Sequence, residues 1–120
     1  MKSILIIEDD IAIAKALTIR MKTAGYKANM THDAVTGLIM AKKVLPDLIL
    51  LDVNLPGGNG FLLAERLMVQ LPTATPIIFI TASKDPDFLK MANDIGAAGY
   101  FEKPYDIKEV LEAIKKVVGE

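Results

Sequence analysis

The sequence contains no cysteine and only one histidine, His32. The lack of cysteine excludes disulfide bonds, thiol catalysis and cysteine-ligated metal sites. A single histidine excludes histidine-cluster metal sites and disfavours a histidine-based catalytic triad, so we expect His32 to be an ordinary loop residue. The groups left for chemistry are carboxylates, hydroxyls and lysine amines.

Long apolar stretches and a strong excess of one charge are also absent. No apolar run approaches the roughly 20 residues that a membrane-spanning helix needs, and Met1-Lys2-Ser3 leads into the first apolar run without a signal-peptide pattern. The formal net charge is −1, which gives no excess of positive charge for nucleic acid. We therefore expect one cytoplasmic domain over residues 1–120, with no membrane contact and no direct binding of nucleic acid by this domain.

Several short apolar runs each end on a polar group. Ile4–Ile7 ends on Glu8-Asp9, Leu48–Leu51 on Asp52, Ile77–Ile80 on Thr81, and Tyr100–Glu102 on Lys103-Pro104. Continuous apolar runs of this kind, separated by helix-length segments, are typical of parallel strands buried on both faces. Because ligands bind outside the carboxyl ends of the strands in open α/β sheets, the polar endings mark the predicted functional edge.

Strands and helices alternate along the chain. The predicted strands cover residues 4–7, 26–31, 47–52, 77–81 and 98–102, and the predicted helices cover 10–24, 34–44, 61–70, 85–95 and 107–118, with Asp10, Asp33 and Asp106 as helix caps. The second strand carries Lys27 and Asn29, which suits a sheet edge. The methionines at 21, 40, 68 and 91 are expected in or near the core. The pattern favours a doubly wound, flavodoxin-like α/β fold with five parallel strands in the order 2-1-3-4-5.

In that strand order the first and third strands are neighbours, so Glu8, Asp9 and Asp52 are predicted to lie close together. Three carboxylates at such short range repel each other unless a hard cation binds among them, and oxygen-only ligation suits Mg²⁺ or Mn²⁺. Thr81 and Lys103 can hold the oxygens of a phosphoryl group against that metal. The sequence therefore predicts phosphate chemistry with a divalent cation at this edge.

These residues, in this order and spacing, resemble the response-regulator receiver domains of bacterial two-component signalling, which form a CheY-like superfamily. The resemblance covers nearly the whole chain and rests on Glu8-Asp9, Asp52, Thr81 and Lys103-Pro104. It implies a phosphorylation-activated switch and not an enzyme that turns over other substrates. Asp52 would accept a phosphoryl group from the phosphohistidine of a sensor histidine kinase or a phosphotransfer protein, and an unknown downstream effector would respond.

The resemblance also implies the metal ligands. Asp9, Asp52 and the backbone carbonyl of Asn54 would bind Mg²⁺ or Mn²⁺, and Glu8 would help directly or through water.

Further roles follow from the same resemblance. Lys103 and Thr81 would contact the phosphoryl oxygens, while the small Ala82 would leave the acceptor accessible. The peptide bond between Lys103 and Pro104 would be cis. Thr81 and Tyr100 would move on phosphorylation and change the surface formed by the fourth helix, the fifth strand and the fifth helix.

One departure from the family concerns dimerisation. Many receivers of DNA-binding regulators pair through this surface by using acidic residues just before the aromatic residue of the fifth strand and an arginine in the fifth helix. Here Ala98-Gly99 and lysines occupy those places, which puts that mode of dimerisation in doubt.

Three alternative functions remain open. A phosphatase of haloacid dehalogenase type also uses an aspartate and Mg²⁺, but it expects a second acid where Asn54 stands. A flavin-binding module needs a phosphate-cradling loop after the first strand, where Glu8-Asp9-Asp10 would repel phosphate. A pseudo-receiver that only binds partners is disfavoured by the complete set of site residues.

Overall fold

A computed structural model describes residues 1–119, and its centre is a five-stranded parallel sheet. The strands are β1 (Ser3–Ile7), β2 (Lys27–Thr31), β3 (Leu48–Asp52), β4 (Ile77–Thr81) and β5 (Gly99–Glu102). Their order is β2-β1-β3-β4-β5, and every neighbouring pair is parallel. This architecture confirms the predicted α/β class and strand order, with β2 at an edge.

Five helices connect and flank the strands: α1 (Ile11–Thr23), α2 (Ala34–Val44), α3 (Gly60–Gln70), α4 (Pro86–Ile95) and α5 (Ile107–Val118). Each begins after a side chain that accepts a hydrogen bond from a backbone amide of the first turn, namely Asp10, Asp33, Asn59, Asp85 and Asp106. The predicted bounds of helices and strands agree within one residue. Within residues 1–119, none of these helices combines the length and the apolarity that crossing a bilayer requires.

The apolar core lies on both faces of the sheet. Ile4 and Ile6 of β1 pack with side chains of α1 and α5, whereas Leu5 and Ile7 pack with side chains of α2, α3 and α4. Every residue of β3 is buried, and the same holds for β4. Burial on both faces explains why these strands are continuous apolar runs, and it leaves their carboxyl ends as the place where polar side chains collect.

Two details differ from the sequence-based expectation. Met21 is buried and Met40 packs against the core, but Met68 and Met91 are 45% and 41% exposed, so their predicted core packing is wrong. Helical periodicity turns both of these side chains to the outer face. The loop after β3 also contains a short antiparallel ladder between Asn54–Leu55 and Gly58–Asn59, an element that was not predicted from the sequence.

Candidate functional site

Three carboxylates meet at the carboxyl ends of β1 and β3. The parallel register pairs Ile7 with Leu51, so the next residues, Glu8 and Asp52, lie side by side at the ends of these strands. Carboxylate oxygens of Glu8, Asp9 and Asp52 all lie within 4.8 Å of one another. The structure thus brings together the acidic residues that the strand order predicted to be neighbours.

The two sheet-bound carboxylates of this cluster are shielded from water. Glu8 is 0% and Asp52 only 3% exposed, whereas Asp9 is open to solvent. Burial, reinforced by the neighbouring carboxylate of Asp52, raises the pKa of Glu8 to about 8. Among the described residues, the buried Oε2 atom of Glu8 has no hydrogen-bond partner. Ionisation of all three carboxylates is therefore unfavourable unless a further cation compensates their charge.

Lys103, directly after β5, supplies the positive charge at the centre of the cluster. Its Nζ forms an ion pair with Oε1 of Glu8 and lies 3.2 Å from Oδ2 of Asp52, while its side chain is 18% exposed. Burial lowers the pKa of Lys103, but the hydrogen bond to Glu8 and the charge of Asp52 outweigh that effect and raise it overall. The peptide bond between Lys103 and Pro104 is cis.

The donor set fits a hard divalent cation. When Glu8 is ionised, the three carboxylates and one ammonium carry a formal charge of −2, which one divalent ion would neutralise. The ligand atoms that Glu8, Asp9 and Asp52 offer to a metal are all oxygens, the atoms that Mg²⁺ and Mn²⁺ prefer. The unpartnered Oε2 of Glu8 adds a buried acceptor that a cation or its bound water can satisfy. The acidic cluster could therefore hold the expected metal.

Asn54 lies in the loop just beyond Asp52. Its backbone amide donates a 2.9 Å hydrogen bond to Oδ1 of Asp52, and its side-chain amide lies 3.5 Å from Oγ1 of Thr81. The first contact orients the carboxylate of Asp52, and the second links the ends of β3 and β4. The metal-binding role of the Asn54 carbonyl stays a prediction.

Thr81 and Ala82 lie at the end of β4. Thr81 is fully buried, and its Oγ1 accepts a 3.0 Å hydrogen bond from the backbone amide of Ser83. Ala82 is exposed, which is compatible with its predicted role of leaving the acceptor open. The hydroxyl of Thr81 is thus held by the loop that leads into α4.

Tyr100 lies within β5, in register with Phe79. Its ring packs against the core on the face covered by α2, α3 and α4, and its Oη is buried without a hydrogen-bond partner among residues 1–119. Burial also raises the pKa of this phenol. The hydroxyl of Tyr100 is therefore sequestered in this conformation.

Three contacts at the site were not predicted from the sequence. They are the Ser83 amide on Thr81, the bridge from Lys84 Nζ to Glu102 and the backbone carbonyl of Lys103, and the 3.0 Å approach of His32 Nδ1 to the carbonyl oxygen of Glu8. The first could have been found, because a threonine hydroxyl often accepts a hydrogen bond from the backbone amide two residues further along the chain. The other two join residues far apart in the chain.

Known proteins share the sequence pattern and the architecture of this chain. Residues 4–115 match the family model described as response regulator receiver domain. A CheY-like receiver domain protein from Methanospirillum hungatei superposes with a TM-score of 0.92 at 28% identity, covering 99% of this chain and 94% of that one. The chemotaxis protein CheY4 of Vibrio cholerae gives a TM-score of 0.89 at 28% identity, covering 98% of both chains.

Curated sequence relatives are longer proteins. The transcriptional regulator RpaA of Synechocystis is 35% identical over 119 residues, which are 98% of this chain and 49% of that protein. The response regulator ArlR of Staphylococcus aureus is 36% identical over 118 residues, which are 98% of this chain and 53% of that protein. The chain thus spans about half the length of these relatives. Its sequence, fold and site together show that it belongs to the response regulator receiver domain family of two-component signalling.

Proposed function

We propose that the protein is a switch in which Asp52 accepts a phosphoryl group from the phosphohistidine of a sensor histidine kinase or a phosphotransfer protein. The observation that carries this proposal is the environment of the Asp52 carboxylate. One oxygen accepts a hydrogen bond from the Asn54 amide at 2.9 Å, and the other lies 3.2 Å from Lys103 Nζ. Carboxylate oxygens of Glu8 and Asp9 lie within 4.8 Å of an Asp52 oxygen, close enough for one metal ion to bind all three. A carboxylate oriented beside a cation and a metal-binding cluster suits in-line attack on phosphorus.

The reaction is a transfer between two nucleophiles. A carboxylate oxygen of Asp52 attacks the phosphorus atom, the bond between phosphorus and the donor's imidazole nitrogen breaks, and its electron pair returns to that nitrogen. An acyl phosphate on Asp52 results. Mg²⁺ bound by Asp9, Asp52 and the Asn54 carbonyl, with help from Glu8, would offset the charge of the phosphoryl oxygens.

Lys103 and Thr81 complete the proposed site. The Lys103 ammonium, already beside Asp52, binds a phosphoryl oxygen and holds the group in place. The Thr81 hydroxyl donates to another phosphoryl oxygen, while the exposed, small Ala82 leaves room for the donor. Catalysis then consists of positioning and charge neutralisation, and the domain acts as a reactant in its own modification instead of turning over substrates.

A protein donor also has a surface to bind beside this site. A groove of about 400 Å³ is lined by Ile13, Lys103, Pro104 and Tyr105, so it shares Lys103 with the site, and its walls are mostly apolar. Small phosphate substrates gain little from such walls, whereas an apolar side chain of a protein donor can be buried there. The groove therefore favours a macromolecular donor. The proposal keeps the cytoplasmic location expected from the sequence.

Phosphorylation would change the surface formed by α4, β5 and α5, and an effector would recognise that change. Movement of Thr81 toward the phosphoryl group alters the loop into α4, and Tyr100 adjusts its packing in response. Leu89 and Met91 of α4 are 48% and 41% exposed, so this surface already presents apolar side chains that an effector can bind. Phosphorylation would shift the balance between two existing arrangements of this surface.

Intact-mass spectrometry tests the transfer. The protein is incubated with acetyl phosphate or phosphoramidate, with Mg²⁺ or with EDTA, and we expect the mass of one phosphoryl group to be added only with Mg²⁺. Asp52→Asn should stay unmodified, and Asp94→Asn, which removes an exposed acid in α4, should react as the wild type does. Modification of Asp52→Asn would contradict the proposal, and sustained turnover of a phosphate ester by the wild type would favour the phosphatase alternative.

A further inference from the structure

The hydrogen-bond ladder between β4 and β5 ends at the site. The register pairs Thr81 with Glu102, and the backbone amide of Lys103 donates a 2.7 Å hydrogen bond to the carbonyl oxygen of Thr81. In a continued parallel ladder the next bond would run from the Ser83 amide to the Lys103 carbonyl. The Ser83 amide instead donates to Oγ1 of Thr81 at 3.0 Å.

Lys84 supplies the donor that the ladder has lost. Its Nζ lies 3.4 Å from the carbonyl oxygen of Lys103 and 3.1 Å from Oε2 of Glu102. The ion pair with Glu102 directs the Lys84 side chain from the loop after β4 across to the end of β5. The two strands stay joined beyond the last ladder bond.

We propose that Lys84 is a positioning residue for phosphoryl transfer to Asp52. By donating to the Lys103 carbonyl, it leaves the Ser83 amide free to hold the hydroxyl of Thr81. It thus sets the positions of Lys103 and Thr81, the two groups assigned to the phosphoryl oxygens. This role rests on the proposed function.

Removal of Lys84 should affect the rate of phosphoryl transfer more than the stability of the fold. The side chains of Lys84 and Glu102 are 68% and 45% exposed, so their ion pair contributes little to the stability of the fold. Without Lys84, however, the Lys103 carbonyl competes for the Ser83 amide, and Thr81 loses the bond that orients its hydroxyl. The loss should appear in the rate of transfer and leave the melting temperature unchanged.

The test compares Lys84→Met, which keeps the apolar stem but removes the donor, with Lys84→Arg, which keeps charge and donors. Lys90→Met, at an exposed position of α4, is the matched control. With phosphoramidate as donor, we expect Lys84→Met to lower the maximal rate about threefold to tenfold. The Mg²⁺ concentration for half-maximal rate should not change, since Lys84 touches no proposed metal ligand. Lys84→Arg should restore the rate, and Lys90→Met should not alter it.

An NMR measurement reads the same contact without any reaction. The Ser83 amide resonance should shift more in Lys84→Met than in Lys84→Arg, because both variants change the neighbouring residue but only Lys84→Met removes the donor. A wild-type rate in Lys84→Met, a loss that Lys84→Arg fails to restore, or equal shifts of the Ser83 resonance in the two Lys84 variants would overturn the role of Lys84 while leaving the proposed function intact. A wild-type protein that takes no phosphoryl group would overturn the proposed function, and the role of Lys84 with it.

Discussion

The backbone amide of Gly60 donates a 2.6 Å hydrogen bond to the carbonyl oxygen of Val53, the residue directly after Asp52. A Cβ atom at position 60 would lie 2.7 Å from Cα of Val53 and would also overlap the carbonyl oxygen of Asp52. The first residue of α3 is therefore packed directly on the backbone that carries the proposed acceptor, at a distance that only glycine permits.

Gly60→Ala should consequently damage both the fold and the site. We expect a loss of about 1–3 kcal/mol in the free energy of unfolding, because the new methyl group meets backbone atoms that cannot rotate away. The displaced Asp52 should also weaken the response to Mg²⁺, measured as the shift in melting temperature. Gly96→Ala is the control, since φ is +85° and nothing lies within 4 Å of its Cβ position. It should cost about 1–2 kcal/mol through backbone strain alone, with the Mg²⁺ shift unchanged. An unchanged Mg²⁺ shift in Gly60→Ala would contradict the proposed coupling.

Mg²⁺ should stabilise the folded protein, because it relieves repulsion among Glu8, Asp9 and Asp52. At a concentration one hundred times the dissociation constant, the gain in unfolding free energy is about 2.7 kcal/mol. Thermal melts with and without millimolar Mg²⁺ measure it. Asp52→Asn should show a smaller shift, whereas Asp94→Asn, outside the cluster, should keep the full shift. A wild-type melting temperature indifferent to Mg²⁺ would argue against the metal site.

Lys103→Met should destabilise the protein in EDTA, because the variant leaves Glu8 and Asp52 without their buried counter-charge. Breaking a buried ion pair costs about 3–5 kcal/mol, and the 18% exposure of the Lys103 side chain should keep the cost at or below the lower end. Mg²⁺ should recover more stability in this variant than in the wild type, since the cation then supplies the only compensating charge. Equal gains from Mg²⁺ in the two proteins would contradict this account of the cluster.

Asp33 offers a test of pH dependence away from the metal cluster. Its carboxylate accepts a 2.7 Å hydrogen bond from the backbone amide of Thr36, which lowers the pKa of Asp33 below 3.8, and the Thr36 hydroxyl adds a second bond. A lowered pKa means that the stabilisation is present above the pKa of the unfolded chain and disappears as pH falls through the folded value. The difference in unfolding free energy between wild type and Asp33→Asn should therefore shrink from pH 7 toward pH 3. A constant difference would show that ionisation of Asp33 plays no part.

Much of this fold follows from the sequence because two local signals coincide. Continuous apolar runs mark strands buried on both faces, and cap residues such as Asp33 and Asp106 mark where helices begin. The right-handed crossover rule then leaves few strand orders, and the order brings Glu8 beside Asp52. The acidic cluster was predictable for this reason, as was the position of Lys103 after the last strand.

Other features depend on distances that no local pattern encodes. The bridge from Lys84 to Glu102 joins side chains 18 positions apart, which the folded arrangement of β4 and β5 brings together. Met68 and Met91 lie on amphipathic helices whose outer faces are partly apolar, so residue type alone placed them wrongly. The short ladder after β3 arises where Gly57 and Gly58 adopt positive φ values that the glycine-rich sequence permits but does not require.

The central claim is that Asp52 carries the phosphoryl group, and reductive trapping tests it most directly. The protein is treated with phosphoramidate and Mg²⁺, then with borohydride, which reduces an aspartyl phosphate to homoserine, and tandem mass spectrometry locates the altered residue. We predict homoserine at position 52 alone, with none in EDTA and none in Asp52→Asn. Homoserine at position 9, or phosphate retained on a serine or threonine while position 52 stays unaltered, would contradict the account.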